Sequence, residues 1–268
     1  MKVASHNFDA ILAGQRRAAL RGAGLVALVV AACVAALAAT GFFDAKRFLE
    51  SGPAIATLAS EMVPPDFGRW RTWLRPLLDT LAMSIAGTAL AVVLSLPLAL
   101  LAAPNTSPHP AIYLAVRTLL AFLRSVPEII LGVLFVAAVG FGALPGVLAL
   151  ALHSIGMVGK FYAEAIEHVD PKPLEAARAA GATPMQVIQH AVLPQVLPQL
   201  TDVTIYRWEY HFRASAVLGI VGAGGIGFEL IAALRLLNYD QVSAILLSIL
   251  ACVVVVDSVG AYLRKSLK

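Results

Sequence analysis

From Gly22 to Thr40 the chain runs through nineteen residues without a charge, close to the roughly 20 apolar residues that a helix needs to cross a bilayer. Similar stretches recur along the sequence and leave little room for anything else. Of the 268 residues, 59% are hydrophobic and only 13% charged, where an average soluble domain carries about 25%. A soluble single domain is excluded, and the chain reads as a polytopic membrane protein. No ten-residue alternation of the barrel kind recurs, so each span reads as helix, and the fold class is all-α with about six transmembrane helices. The net charge of +4 and pI near 9.2 would suggest nucleic acid in a soluble chain. In a membrane protein they indicate loops weighted towards Lys and Arg on the cytoplasmic side, and no nucleic-acid partner is expected. Cys33 and Cys252 each sit in an apolar run, which excludes a disulfide framework or a cysteine-rich metal site.

The first run follows Arg16, Arg17 and Arg21, the layout of a span whose N-terminus stays in the cytoplasm. A cleaved signal peptide competes, because Ala36-Leu37-Ala38 resembles a cleavage site. The run exceeds the roughly 7 to 15 residues of a signal core, which favours an uncleaved anchor. Residues 44–75 mix charges with Pro53, Pro64-Pro65, Trp70 and Trp73, as expected of an external segment skimming the interface, where Trp is favoured. Further spans are predicted at Leu77–Ala103, Ser125–Phe141, Leu144–Ala165, Val196–Leu218 and Tyr239–Leu263, with Ala111–Arg124 as a helix on the cytoplasmic surface. The chain thus divides into residues 1–76 (tail, first span, external segment), a core over 77–263 with a polar loop at 166–195, and a basic cytoplasmic tail over 264–268. Both termini fall inside.

Within the loop, Asp170 precedes Pro171, and Gly181 follows a run of helix formers. This predicts a short capped helix. Thr183-Pro184-Met185-Gln186 has the form of a capping box, so a second helix follows at once. Ala176, Ala177, Ala179 and Ala180 keep the first helix slim, and Glu175 and Arg178 place charges on successive turns of one face. The arrangement suits docking to another protein.

As a pattern, Glu175-Ala176-Ala177, Gly181 four residues later and Leu193-Pro194 resemble the EAA loop in the membrane subunits of bacterial ABC importers. The family usually has Ile or Val two residues before Leu-Pro, where this chain has Ala191. The resemblance implies a five-helix importer core and a coupling helix, with Glu175, Ala176, Ala177, Arg178 and Gly181, that enters a cleft of an ATPase subunit. It implies a homodimer in the bacterial inner membrane, working with two ATPase subunits and a periplasmic binding protein. ATP and Mg would be used by the partner, with no cofactor bound by this chain. Arg124-Ser125-Val126-Pro127-Glu128, His153-Ser154-Ile155-Gly156 and Val221-Gly222-Ala223-Gly224-Gly225-Ile226-Gly227 are similar to the phosphonate permeases. The implied cargo is a phosphonate or a related phosphorus oxyanion such as phosphite. An importer of another small solute such as methionine, or a membrane enzyme or scaffold, is the alternative.

Other motifs dissolve on inspection. The segment 222–227 fits G-x-G-x-x-G, but that fingerprint has meaning only between a strand and a helix of a parallel sheet. Gly222, Gly224, Gly225 and Gly227 are better placed to allow close helix approach or a hinge at the outer end of the fifth span. Gly156 to Lys160 lacks the spacing of a phosphate loop and ends in Phe161, so the chain carries no ATPase motif of its own. The six histidines, His6, His109, His153, His168, His190 and His211, form no metal-binding spacing, and neither a metal site nor catalysis is expected.

Ionisable residues inside spans usually face a cavity or one another, and residues 207–213 concentrate them. Glu209 and Arg213 stand four apart with the acid first, an order that suits an ion pair. Arg207 has no such partner on its helix, and His211, one turn on, is a further potential donor. Their face either attracts an anion or finds Glu128 on the third span. The candidate pathway residues are therefore Glu128, Ser154, Arg207, Glu209, His211 and Arg213. Lys160 is expected to snorkel to the headgroups.

Overall fold

The computed structural model describes residues 3–267, with side chains from residue 12 onward except that of Phe48. Lys268 of the basic tail and the side chain of His6 lie outside the described residues. Among those described, every regular element is helical. The chain separates into two compact units, one ending at Ser60 and the other beginning at Glu61.

The first unit holds α1 (Val3–Ala39) and α2 (Ala45–Glu61). Its stretch Leu12–Ala39 is long and apolar enough to span a membrane. Gly41, at φ +75°, turns the chain after α1, and the Asp44 carboxylate accepts the Lys46 backbone N–H at 3.1 Å to start α2.

The second unit contains α3 (Trp70–Leu101), α4 (Pro110–Ser125), α5 (Glu128–Val139), α6 (Ala143–Glu167), α7 (Pro171–Ala179), α8 (Pro184–Val187), α9 (Leu193–Leu218), α10 (Ile226–Arg235) and α11 (Tyr239–Ser266). The helices α3, α6 and α11 could each cross a membrane alone. Two bent pairs qualify only jointly: α4 with α5, bent by 83°, and the rod from Pro184 to Ala223 with α10, bent by 58°. Counting α1, four to six spans result.

The bend between α4 and α5 corrects the third predicted span. Val126 and Pro127 take extended backbone angles and interrupt the helix. The twelve residues of α5 then reach only about 18 Å, short of the roughly 30 Å hydrocarbon core. The helix α4 is apolar and joined to α5, so Ser125–Phe141 does not form one straight span. Arg117, a charge within α4, is held by Glu167 at 2.9 Å and by Tyr113, whose hydroxyl lies 2.6 Å away.

The core centres on α3 and α6, the most extensively paired helices. Small residues let their backbones approach, as is usual where helices meet in lipid. A Cβ on Gly87 would press on Leu150, and one on Gly146 would meet Met83 and Ala223. On the far side of α6, Gly156 lies against the backbone of α4 at Leu120 and Arg124. Trp73 is only 2% exposed and packs with Ile226, Val242 and Ile245. Trp70, by contrast, is exposed. The sequence reading assigned no element to 226–235, where α10 lies. Its first N–H is met by Thr80, whose hydroxyl accepts from Ile226 at 2.9 Å.

Candidate functional site

A string of polar side chains crosses the packed interior of α3, α6 and α9. Ser154 and His211 have no exposed surface, and Arg207 is 5% exposed. His211 Nδ1 lies 2.7 Å from Thr88 Oγ1, and its Nε2 lies 2.5 Å from Ser154 Oγ. Arg207 Nε donates to the same Ser154 oxygen at 2.8 Å.

Donor accounting orients this chain. The Thr88 hydroxyl gives its one proton to the Ser84 carbonyl at 2.7 Å, so towards His211 it can only accept. His211 Nδ1 therefore carries the ring proton, and Nε2 accepts from the Ser154 hydroxyl. Ser154 Oγ in turn accepts from Arg207. Both His211 nitrogens are occupied, which corrects the expectation that His211 offers a free donor to an anion. Its role is to lock Ser154, and through it Arg207.

Arg207 does not reach Glu128 directly. Its guanidinium lies 4.3 Å from the centroid of the Tyr210 ring, a cation–π geometry. The Tyr210 hydroxyl donates to Glu128 Oε1. Buried Arg207 Nη2 has no hydrogen-bond partner among the described residues. Glu128 Oε2 lies 3.3 Å from His153 Nε2, and His153 Nδ1 lies 2.9 Å from the Val126 carbonyl. Glu128, Tyr210 and Arg213 line a cavity of about 360 Å³ between the start of α5 and α9, otherwise walled by Pro127, Ile129, Ala214, Val217 and Leu218.

The expected pair between Glu209 and Arg213 is replaced by two contacts to α11. Arg264 lies 2.8 Å from Glu209 and Asp257 lies 3.0 Å from Arg213. Glu209 is buried beside Gly260, where a Cβ would collide with its carboxylate. These two charges tie α9 to α11 and do not join the Arg207 cluster. Lys160 pairs with Glu164 at 3.4 Å.

The loop of 166–195 has the predicted local chemistry. Asp170 caps α7 by accepting from the Lys172 N–H at 3.0 Å. Gly181 adopts φ +84°. Its N–H meets the Arg178 carbonyl and that of Ala182 meets Ala177, the bond pair of a Schellman ending. Thr183 and Gln186 form the capping box. Leu174 is buried as an anchor, while Glu175, Ala176 and Arg178 face outward. A π-helical turn, Ile188–Val192, then joins α8 to α9.

At the other end of α9 a second π turn, Gly219–Ala223, runs into the glycine segment. Gly222, Gly224 and Gly225 take φ of +98°, +75° and +73°. Gly227 has helical geometry but packs on the Ala216 carbonyl, leaving no room for a Cβ. The backbones approach closely here, and the chain turns at the three glycines of positive φ. Tyr210, Thr88 and the pairing of His153 with Glu128 were not anticipated; Thr88 and Asp257, polar residues within apolar spans, were the available signals.

Residues 95–268 match the family described as the inner membrane component of binding-protein-dependent transport systems. The chain belongs to that family. The phosphite transport system permease protein PtxC of Stutzerimonas stutzeri is 61% identical over 271 residues, covering 98% of both proteins. The phosphate-import permease protein PhnE of Mycolicibacterium smegmatis is 42% identical over 225 residues, 84% of this chain and 42% of that protein. Among solved structures, a chain of the inward-facing MetNI methionine ABC transporter superposes with a TM-score of 0.67 at 23% identity, covering 76% of this chain and 99% of that one. This last likeness bears on the fold, and it is the fold of an ABC importer permease. The permease is thus a multi-pass membrane protein of the class that its EAA-like loop indicated.

Proposed function

We propose that this permease forms the translocation pathway for phosphite, or a closely related phosphorus oxyanion, in an ATP-driven importer. The observation that carries the reading is the 61% identity to a phosphite permease along nearly the whole of both chains. Family membership supports a periplasmic binding protein that delivers the cargo and an ATPase that drives the cycle. The full complex would hold two copies of the permease and two ATPase subunits in the bacterial inner membrane, with both termini cytoplasmic. ATP and Mg belong to the ATPase. The outward face of α7, with Glu175, Ala176 and Arg178 on an anchored and doubly capped helix, is the surface offered to that partner.

An anion leaving water needs compensating charge or hydrogen-bond donors. Arg207 supplies both: a guanidinium fixed at Nε, with Nη2 uncommitted, behind the ring that walls the cavity. Glu128 and Tyr210 lie between Arg207 and the cavity and would regulate access, while Ser154 and His211 hold Arg207 in place. Glu209 and Arg213 brace α9 against α11.

The test is ATP-dependent uptake by the complete complex in proteoliposomes, with labelled phosphite, phosphate, methylphosphonate and methionine. Phosphite should enter, and unlabelled phosphite should compete best. Uptake of methionine alone would reject the reading. Arg207→Gln should lower phosphite uptake while leaving ATPase association intact.

A further inference from the structure

The helix α3 has 32 residues, a length of about 48 Å at 1.5 Å per residue. A bilayer measures roughly 30 Å across its hydrocarbon and about 40–45 Å with both headgroup layers. The helix is therefore long enough to cross all of these layers, and its first two turns fall among headgroups. Those turns carry Trp70, Arg71 and Arg75, all exposed. Ile85 sits at the middle of the helix, hence close to the bilayer midplane, where the acyl chains of one leaflet end.

One face of α3 joins the two levels. Positions 71, 74, 75, 78, 82, 85 and 89 follow the three- and four-residue spacing of a single helix face, and all of them are exposed. At the headgroup end the Arg71 guanidinium lies 5.6 Å from the centroid of the Trp70 ring, and Arg71 has no acidic partner among the described residues. Arg75 meets Asp79 through Nε at 3.1 Å, with its side chain 85% exposed. An exposed pair four residues apart on a helix holds its members only weakly. Two arginines against one aspartate leave one net positive charge at this level. Further along come Leu74 and Leu78, and then Ile85 and Ala89. These last two, with Ile205 and Trp208 of α9 and Leu263 of α11, wall an apolar groove of about 300 Å³.

We infer that this face is a binding site for an anionic phospholipid, with its phosphate at Arg71 and Arg75 and one acyl chain running along Leu74 and Leu78 into the groove beside Trp208. Guanidinium forks match phosphate oxygens in pairs, and one negative headgroup charge answers the one left over on the protein. A zwitterionic headgroup brings its own cation and leaves that charge unanswered. In the proposed topology the lipid belongs to the outer leaflet. The site is independent of the cargo, although its groove is also lined by Thr88, whose hydroxyl holds His211. A bound chain thus ties α3 to α9 and α11 next to the buried polar string that ends at Arg207.

Titration of the whole detergent-solubilised complex with phosphatidylglycerol brominated near the chain terminus tests the site, because bromine quenches tryptophan only at close range. Quenching should saturate, and Trp208→Phe should remove most of the saturable part, which locates the chain end in the groove. Arg71→Gln combined with Arg75→Gln should weaken the binding about thirtyfold, from roughly fivefold for each basic residue beside an anionic headgroup. Both side chains are exposed, so the double variant should fold. Brominated phosphatidylcholine should bind far more weakly than phosphatidylglycerol and should not distinguish the variant from wild type. Phosphite should displace the lipid no better than sodium chloride at equal ionic strength. Equal quenching by the two lipids, unchanged affinity in the double variant, or saturable quenching that survives Trp208→Phe would overturn the inference. Specific displacement by phosphite would do the same, since it would give the arginines to a free oxyanion. Absence of saturable quenching also overturns it, and is the result expected if α1 or a second copy of the chain covers this face.

Discussion

Replacing Ser154 with alanine removes one oxygen and orphans two buried groups at once, the Arg207 Nε–H and the His211 Nε2 lone pair. Each buried polar group left without a partner costs about 1–3 kcal/mol, more when charged. Hydrogen bonds between membrane helices average only about 0.6 kcal/mol by double-mutant cycles, because the groups find other partners in the unfolded membrane state. The higher range should govern here. His211 has no exposed surface, Arg207 is 5% exposed, and the glycine contacts between α3 and α6 leave little slack for repacking. The expected loss is about 3 kcal/mol. Ser95→Ala is the control, since Ser95 is equally buried but makes a 3.3 Å bond to the Ile155 carbonyl, within a helix that already offers that oxygen a backbone donor. Its removal should cost below about 1 kcal/mol. Unfolding of both variants by SDS in mixed micelles gives the comparison. Equal losses, or less than about 1 kcal/mol for Ser154→Ala, would refute the orientation assigned to the Thr88–His211–Ser154–Arg207 chain.

Gly227→Ala should destabilise the permease by about 2 kcal/mol or more, because the added methyl lands on the Ala216 carbonyl and overpacked sites relax poorly; the same SDS titration measures it. Gly181→Pro should leave the protein inserted but detach or uncouple the ATPase, since proline cannot adopt φ +84° and removes the N–H given to Arg178. Copurification of the ATPase reads this out, and full association would show that α7 is not the docking helix. Cysteines at positions 61 and 175, in a background lacking Cys33 and Cys252, should react with an impermeant thiol reagent from outside and inside respectively. Labelling of position 175 from outside would reverse the proposed topology.

What the sequence disclosed depended on the range of the interactions involved. The caps at Asp170 and Thr183 and the Gly181 ending use partners within five residues, so a local pattern suffices to read them. The ion pair expected between Glu209 and Arg213 is also local, yet α11 outbids it. Asp257 and Arg264 lie seven residues apart, two turns along one face, and meet α9 running in the opposite sense. Such a partner exists only after α9 and α11 have packed. The burial of Trp73 is of the same kind, since its partners Ile226 and Ile245 lie far along the chain. The helix α10 has ten residues and depends on a side chain 146 positions earlier, Thr80, to receive its first N–H. Apolar runs registered the long helices well and the broken ones poorly, because hydropathy is blind to direction. The tautomer of His211 required the positions of carbonyl oxygens.

The two π turns at the ends of α9 give that helix a mechanical meaning. From Pro184 through the first π turn to Leu218 the backbone is helical without interruption, a rod of roughly 50 Å at 1.5 Å per residue. One end emerges beside the capped loop of 166–195, and the other runs into a glycine segment where three residues hold backbone angles that side chains resist. A stiff shaft ending in a soft joint converts a small push into rotation at the joint while its middle barely deforms. The Ser154 and Thr88 bonds fasten that middle to α6 and α3 like a bearing. Movement imposed near Met185 should therefore surface as a swing of α10, far from where it was applied, with the buried arginine near the pivot.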